Sequence, residues 1–324
     1  MKPKLLPLIA AALLLFCACD NDHYTEYGGE ITTMSPEKIS QARERALAEA
    51  EEKAVSLSVS QSKYDELHTP KKTINNREGG YSNVPDSVDT IISGSPAITE
   101  ILIGLGLGDK IIKADRDSAG IYGLDPVICD FDPSELASGT TADLVFLPGK
   151  MNDYHFNRGN IAYIPPSASI EGIKLDIEYI AVMTGTQTKA PELIGDINTA
   201  VLEVKEAAYG IPPKSVYYEI EMGLTPGYDT LVNEVITIAG GTNIFGSLKG
   251  NTAVTPEEIK TLEPDVILLD KNDPDLEISA RPGWGELDAV KNDEVHILYN
   301  PIRPSQKITE VLYEISNILT ENTN

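Results

Sequence analysis

The sequence is short of cysteine, tryptophan, histidine and basic residues, and each shortage closes off a class of function. It has three cysteines and one tryptophan in 324 residues. Cys17 and Cys19 lie near the N-terminus, so only Cys129 is left for the rest of the chain and an intrachain disulfide framework is excluded. Cys129 sits in a strand-like stretch and reads as a small buried hydrophobe rather than a nucleophile. The four histidines, His23, His68, His155 and His296, are far apart in the sequence, which disfavours a directly bound zinc or manganese ion. Lys and Arg number 26 against 50 Asp and Glu, a net charge of −24. A nucleic-acid partner would need the opposite balance. G-x-S-x-G, H-E-x-x-H and C-x-x-C are missing, so no motif marks an enzyme.

What is present begins with a targeting segment. MKPK supplies a positive start, and LLPLIAAALLLF is an apolar run of about a dozen residues, too short for a relaxed bilayer span of roughly 20. FCACDN follows and resembles a bacterial lipobox, with Ala18 before Cys19 as the lipid-bearing residue. Cys17 follows Phe16 and fits that role poorly. An ordinary signal peptide with two incidental cysteines is the alternative. Residues 1–18 are therefore expected to be a lipoprotein signal peptide. Residues 19–85 are expected to be a lipid-anchored tether with one solvated helix, capped by Ser35 and started by Pro36. Asp20 and Asn21 after Cys19 fit retention at an inner membrane.

The globular pattern is expected from residue 86. VDTIIS (88–93) reads as a buried parallel strand, 96–105 as a helix and KIIKA (110–114) as the next strand. Gly104, Gly106 and Gly108 follow that helix. A phosphate-cradling loop would need them before it, so they read as helix-end and turn glycines. Strands are expected at 143–148 and 162–166, followed by a long helical stretch. Its clearest part is a helix at 191–210, with apolar residues at three- and four-residue steps from Leu193 to Ala208. Strands at 215–222, 265–270 and 295–300 and a closing helix from about Ser305 complete the order.

The second half echoes the first. Glu100-ILIGL-Gly106 matches Glu234-VITIA-Gly240, and Glu135 to Asp143 matches the equal spacing of Glu257 to Asp265. The expectation is α/β: two lobes, 86–190 and 211–324, each with a parallel sheet, joined by the single long helix 191–210. Ligands in such sheets bind off the carboxyl ends of the strands, which places a site in the cleft between the lobes.

These stretches together resemble the class III substrate-binding proteins of ABC importers, which take up iron-siderophores, haem or cobalamin. IISGSPAITEILIGLGLGDKII, TADLVFLPG, DTLVNEVITIAGGTNIF, TPEEIKTLEPDVILLD and RPGWGELDAVKNDEVHILYN carry the resemblance, over about 86–320. It implies two Rossmann-like lobes bridged by one helix, an iron chelate or corrinoid as cargo with no resident cofactor, and no catalysis. It implies a monomer that delivers to an ABC permease and its ATPase, exported and lipid-anchored at the periplasmic face of the inner membrane or the outer cell surface. It also implies permease docking through Glu135 and Glu257, although LASGTTADLV departs from the family's helix after Glu135. A haem- or metal-binding lipoprotein, and a surface sensor or adhesin without a transporter, are the alternatives.

The strand-end loops hold Ser95, Arg116, Tyr122, Tyr154, His155, Arg158, Tyr228 and Arg303 as candidate ligand contacts. Arginine suits carboxylate or phosphate, and tyrosine offers flat contact to a large chelate. Tyr154 and His155 together could ligate haem iron. For any one of them an ordinary surface role is equally open. Trp284 reads as a packing residue.

Overall fold

The structured part opens with an antiparallel hairpin, β1 (Thr73–Asn75) and β2 (Tyr81–Asn83). A computed structural model of the chain describes residues 73–75, 81–85, 87–137, 139, 141–149, 160–271, 273 and 275–320, all in the unit Pro70–Asn324. The signal segment, Cys19 and the tether helix lie outside the described residues. The hairpin lies inside the stretch 19–85 expected as a tether, where the sequence pattern places no strand. Its two three-residue strands are held by backbone pairing with each other, which side-chain periodicity does not reveal over runs this short.

Each half of the chain then builds one four-stranded parallel sheet. The first contains β3 (Ile91–Ser93), β4 (Ile111–Ala114), β5 (Leu144–Leu147) and β6 (Ile161–Tyr163), in the order β4-β3-β5-β6. The second contains β7 (Ser215–Glu219), then, beyond β8 (Leu224–Pro226), β9 (Thr242–Asn243), and, beyond β10 (Asn251–Ala253), β11 (Val266–Asp270) and β12 (Val295–Leu298). Its order is β12-β11-β7-β9, with β8 and β10 paired antiparallel beside it. Both sheets place the second strand of the half beside the first, then the third and the fourth. The repeat read from the sequence is thus a repeat of topology.

The helices are α1 (Pro96–Gly104), α2 (Ile170–Thr184), α3 (Ala190–Ala207), α4 (Leu231–Ile238), α5 (Pro256–Leu262), α6 (Asp288–Lys291) and α7 (Ile308–Thr320). Helix α3 connects the two halves where the 191–210 pattern predicts it. Alternation along the strands decides what packs where. Ile91, Leu144 and Phe146 point to one side of the first sheet, while Ile92, Val145 and Leu147 point to the other with Phe131 and Leu136. Val216, Val266 and Leu268 of the second sheet join the cluster of Ile91, together with Ile101 of α1, Ile177 of α2, Ile197 of α3, Val235 of α4 and Ile315 of α7. The inner faces of both sheets and five of the helices therefore share one apolar core.

The repeated aspartates bind the strand starts in the same way in both halves. Asp143 Oδ2 accepts from the amides of Asp89 (2.8 Å) and Thr90 (2.9 Å), and the Asp143 amide donates to Thr90 Oγ1 at 3.0 Å. Asp265 Oδ2 accepts from the Ser215 amide and hydroxyl, both at 2.7 Å, and its own amide donates to Ser215 Oγ at 2.9 Å. Each clasp satisfies backbone donors where a strand begins. Gly106 has φ +79°, the left-handed geometry expected at a helix end. Gly104 serves a different purpose: a Cβ there would lie 2.7 Å from Gln306 Nε2. Cys129 is buried as expected but closes a 3-10 turn, Pro126–Ile128, rather than lying in a strand. Asp125 caps that turn by accepting from the Val127 amide, and burial pushes the Cys129 thiol up.

A buried charge network braces the carboxyl end of the second sheet. Glu219, the last residue of β7, accepts from Arg281 Nη1 (2.6 Å), the Tyr217 hydroxyl (2.5 Å) and the Gly223 amide (3.1 Å). Arg281 Nε also donates to Asp275 Oδ2 at 3.1 Å, and its guanidinium lies 5.2 Å from the Trp284 ring centre. Trp284 is buried against Tyr217, the packing role predicted for it. Burial pushes the carboxyl of Asp273 up to about 6, and among the described residues its Oδ2 has no hydrogen-bond partner.

Two outcomes follow. Because the core is continuous, denaturant unfolding followed by Trp284 fluorescence, which reports the second lobe, should share its midpoint with far-UV circular dichroism. Ile197→Ala should lower both together by about 2–5 kcal/mol. Separate midpoints would show that the lobes unfold independently. Asp273 holds its proton more tightly folded than unfolded. Its contribution is thus fully present below its ordinary carboxylate pKa and is lost as pH rises through about 6. Asp273→Asn should flatten that slope and raise the melting temperature above pH 6; parallel melting curves between about pH 4.5 and about pH 8 would refute the assignment.

Candidate functional site

All eight main-sheet strands run parallel within their sheets, so the loops that can carry a site follow their carboxyl ends. In the first lobe these loops are tied together by buried hydroxyls. Ser93 Oγ lies 2.7 Å from Thr99 Oγ1, which lies 3.1 Å from Ser118 Oγ, and Ser118 donates to Asp115 at 3.0 Å. Ser93, Thr99 and Ser118 are completely buried. The chain of hydroxyls fixes the turn after β3 to the turn after β4. Burial raises the carboxyl of Asp115, against the lowering effects of its bonds to Ser118 and the charge of Arg303.

Ser95 caps α1, accepting from the Ile98 amide at 3.4 Å, and Pro96 starts the helix. In front of them is a hollow of about 200 Å³ lined by Ser95, Pro96, Ile98, Ile164, Pro165 and Arg303, among others. Arg303 comes from the segment after β12, in the other half of the chain. Its Nη1 donates to Glu100 Oε1 at 2.9 Å, and Ser305 Oγ donates to Glu100 Oε2 at 2.5 Å. Glu100 is only 7% exposed. A buried carboxylate needs a cation and further donors to be tolerated, and this one has both.

The structure brings two of the predicted contacts, Ser95 and Arg303, to one hollow. Arg116 is exposed in a 3-10 turn, Arg116–Ser118, and Tyr122 is 98% exposed just beyond it. Tyr228 is exposed after β8. Tyr154, His155 and Arg158 lie outside the described residues. Tyr299 and Met222, which were not among the candidates, are also exposed just beyond strand ends. Glu100 served in the sequence as a repeat marker only, because spacing does not show that a helix glutamate is buried.

The proposed docking pair is unequal. Glu135 lies in a single 3-10 turn, Pro133–Leu136, and its Oε2 takes Lys113 Nζ at 2.7 Å while its Oε1 accepts from the Asp132 amide at 3.0 Å. The Lys113 ammonium and that amide hold its carboxyl below the usual range. In the second lobe the residue with the same capping role is Glu258, which accepts from the Thr255 amide at 2.8 Å. Glu257 is its exposed neighbour. By cap geometry Glu135 thus corresponds to Glu258 and Ser134 to Glu257, because the first lobe has one more residue before Asp143. Among the described residues, no group of three or more His, Cys, Asp or Glu could hold a metal ion, and no helix is long and apolar enough to cross a membrane.

Comparison with known proteins agrees with this architecture. A periplasmic binding protein family model matches residues 151–301. The chain is 25% identical over 230 residues to an uncharacterized ABC transporter substrate-binding lipoprotein, YvrC, of Bacillus subtilis, covering 64% of this chain and 71% of that one. A solved structure of an ABC-type Fe3+-hydroxamate transport system from Saccharomonospora viridis superposes with a TM-score of 0.61 at 20% identity, over 78% of this chain and 99% of that one. The periplasmic vitamin B12 binding protein BtuF of Vibrio cholerae gives 0.58 at 19% identity, over 72% and 97%. The chain has the two-lobed fold of these periplasmic binding proteins.

Proposed function

We propose that the chain is the substrate-binding subunit of an ABC importer. It is exported, held at the membrane by lipid on Cys19, and captures an iron chelate or a corrinoid with acidic groups for delivery to a permease and its ATPase. It binds its cargo as a monomer and carries out no reaction on it. The observation that carries this reading is Arg303, brought from the second half of the chain to the mouth of α1 in the first, beside Ser95 and over an apolar hollow. A guanidinium in that position suits a carboxylate or phosphate of the ligand.

The hollow sets the scale of the contact. At about 200 Å³ it is smaller than the roughly 300–1,000 Å³ of pockets that enclose a small molecule. It therefore takes one arm of the ligand, and the bulk rests across the strand-end loops. Tyr122, Tyr228 and Tyr299 are exposed on those loops and offer flat apolar contact with a polar tip. Two of the structural relatives, an Fe3+-hydroxamate transport system and a vitamin B12 binding protein, are named for large ligands of that kind. On the permease side, Glu257 is free for an incoming arginine, whereas Glu135 must share its carboxylate with Lys113.

Thermal-shift titration against a ferric hydroxamate, ferric citrate, haemin and cobalamin tests the ligand class. At least one should raise the melting temperature, and Arg303→Ala should weaken that binding about tenfold or more, the scale of one charge-assisted hydrogen bond. Silence across all four would sink the reading. Glu135→Ala/Glu257→Ala should bind ligand normally and lose uptake in cells; full uptake would remove both residues from docking.

A further inference from the structure

The two glutamates that expose the repeat cross between the lobes in opposite directions. Glu100 of α1 reaches the segment that leads from β12 into α7, where Arg303 and Ser305 donate to it. Glu234 of α4 reaches the segment that leads from β6 into α2, where its Oε2 accepts from the Ile170 amide at 2.8 Å. Each carboxylate thus fastens one lobe to the start of the other lobe's closing helix. Glu100 is held more elaborately. Gln306 Nε2 donates to its carbonyl at 2.7 Å, and Gly104, one turn further on, leaves room for Gln306 to lie against the helix.

Only one of these joints includes a residue that borders the hollow. Arg303 does so, and among the described residues its bond to Glu100 is the only hydrogen bond its guanidinium makes. The other donors of the fork remain open to a ligand. We propose that Glu100 is a positioning residue. It fixes the Arg303 guanidinium at the hollow, so that the fork is already oriented when an anionic group arrives. This rests on reading the cleft as the ligand site. Glu234 supplies the control, because it makes the matching joint and its hydrogen-bond partner among the described residues, Ile170, does not border the hollow.

Modification of the full chain with phenylglyoxal, followed arginine by arginine with peptide mass spectrometry, tests the proposal without any ligand. The reagent must reach the guanidinium nitrogens, and a carboxylate bonded to one of them at 2.9 Å blocks that approach. Glu100→Gln keeps the shape and removes the charge, and should speed modification of Arg303 about fivefold or more while Arg281 is unchanged. Glu234→Gln should leave Arg303 within about twofold of the parent, since its joint contains no arginine. An unchanged rate at Arg303 in Glu100→Gln, or an equal acceleration in Glu234→Gln, would overturn the proposal. Should Glu100→Gln not fold, Ser305→Ala removes one donor to the same carboxylate; it should give a smaller acceleration at Arg303, and none would be equally decisive. Failure of every chelate to bind would sink the importer reading separately, because the labelling result needs none of them.

Discussion

The arrangement depends on an apolar core that the two sheets share. Ile91 and Phe146 from one sheet and Val216 and Leu268 from the other face a common layer of helices, and that layer cannot be divided without exposing both inner faces to water. Helix α3 is then more than a connector, since Ile197 and Val204 lie in the same cluster. Rotation of one lobe against the other would have to shear close-packed side chains, which protein interiors resist. The cleft at the strand ends inherits its width from this core.

Two carboxylates cross the joint, and each is met by donors on the far side. Glu100 and Glu234 are the instructive cases: each leaves its own lobe and ends on donors supplied by the other. A carboxylate in such a place favours one arrangement of the lobes, because displacement would strand a charge away from water. The same logic governs the far end of the second sheet, where Glu219 is buried among Arg281, Tyr217 and the Gly223 amide. The chain has a large excess of acidic groups, yet the cleft gains an arginine at its floor. Local chemistry at the site therefore differs from the net charge, as ligand recognition requires.

Much of the fold was legible because its signals are local. Apolar β-branched runs, the three- and four-residue apolar steps of the bridging helix and the glycine turn at Gly106 each report their own conformation. What the local pattern did not show involves relations between distant segments. The β1–β2 hairpin is defined by pairing rather than by pattern. Cys129 lies in an apolar stretch whose conformation is decided by Asp125 and Pro126. The pairing of Glu135 with Glu257 followed equal spacing to the next aspartate, whereas the caps align Glu135 with Glu258 after a one-residue difference in the intervening loop. Of the cleft candidates, Ser95 and Arg303 were named for their loops, but nothing in the spacing indicated that these two loops meet.

The sequence by itself determined the order of strands and helices, the duplication, the bridging helix and the absence of disulfide or enzyme motifs. These follow from periodicity, caps and composition, which act over a few residues at a time. Only the tertiary structure decided that Glu100 is a buried partner of Arg303 rather than a surface residue of an amphipathic helix, and that Arg303 borders the hollow in front of Ser95. Those residues lie about two hundred positions apart. Their meeting is set by how two sheets pack on one layer of helices, and no local pattern encodes that distance.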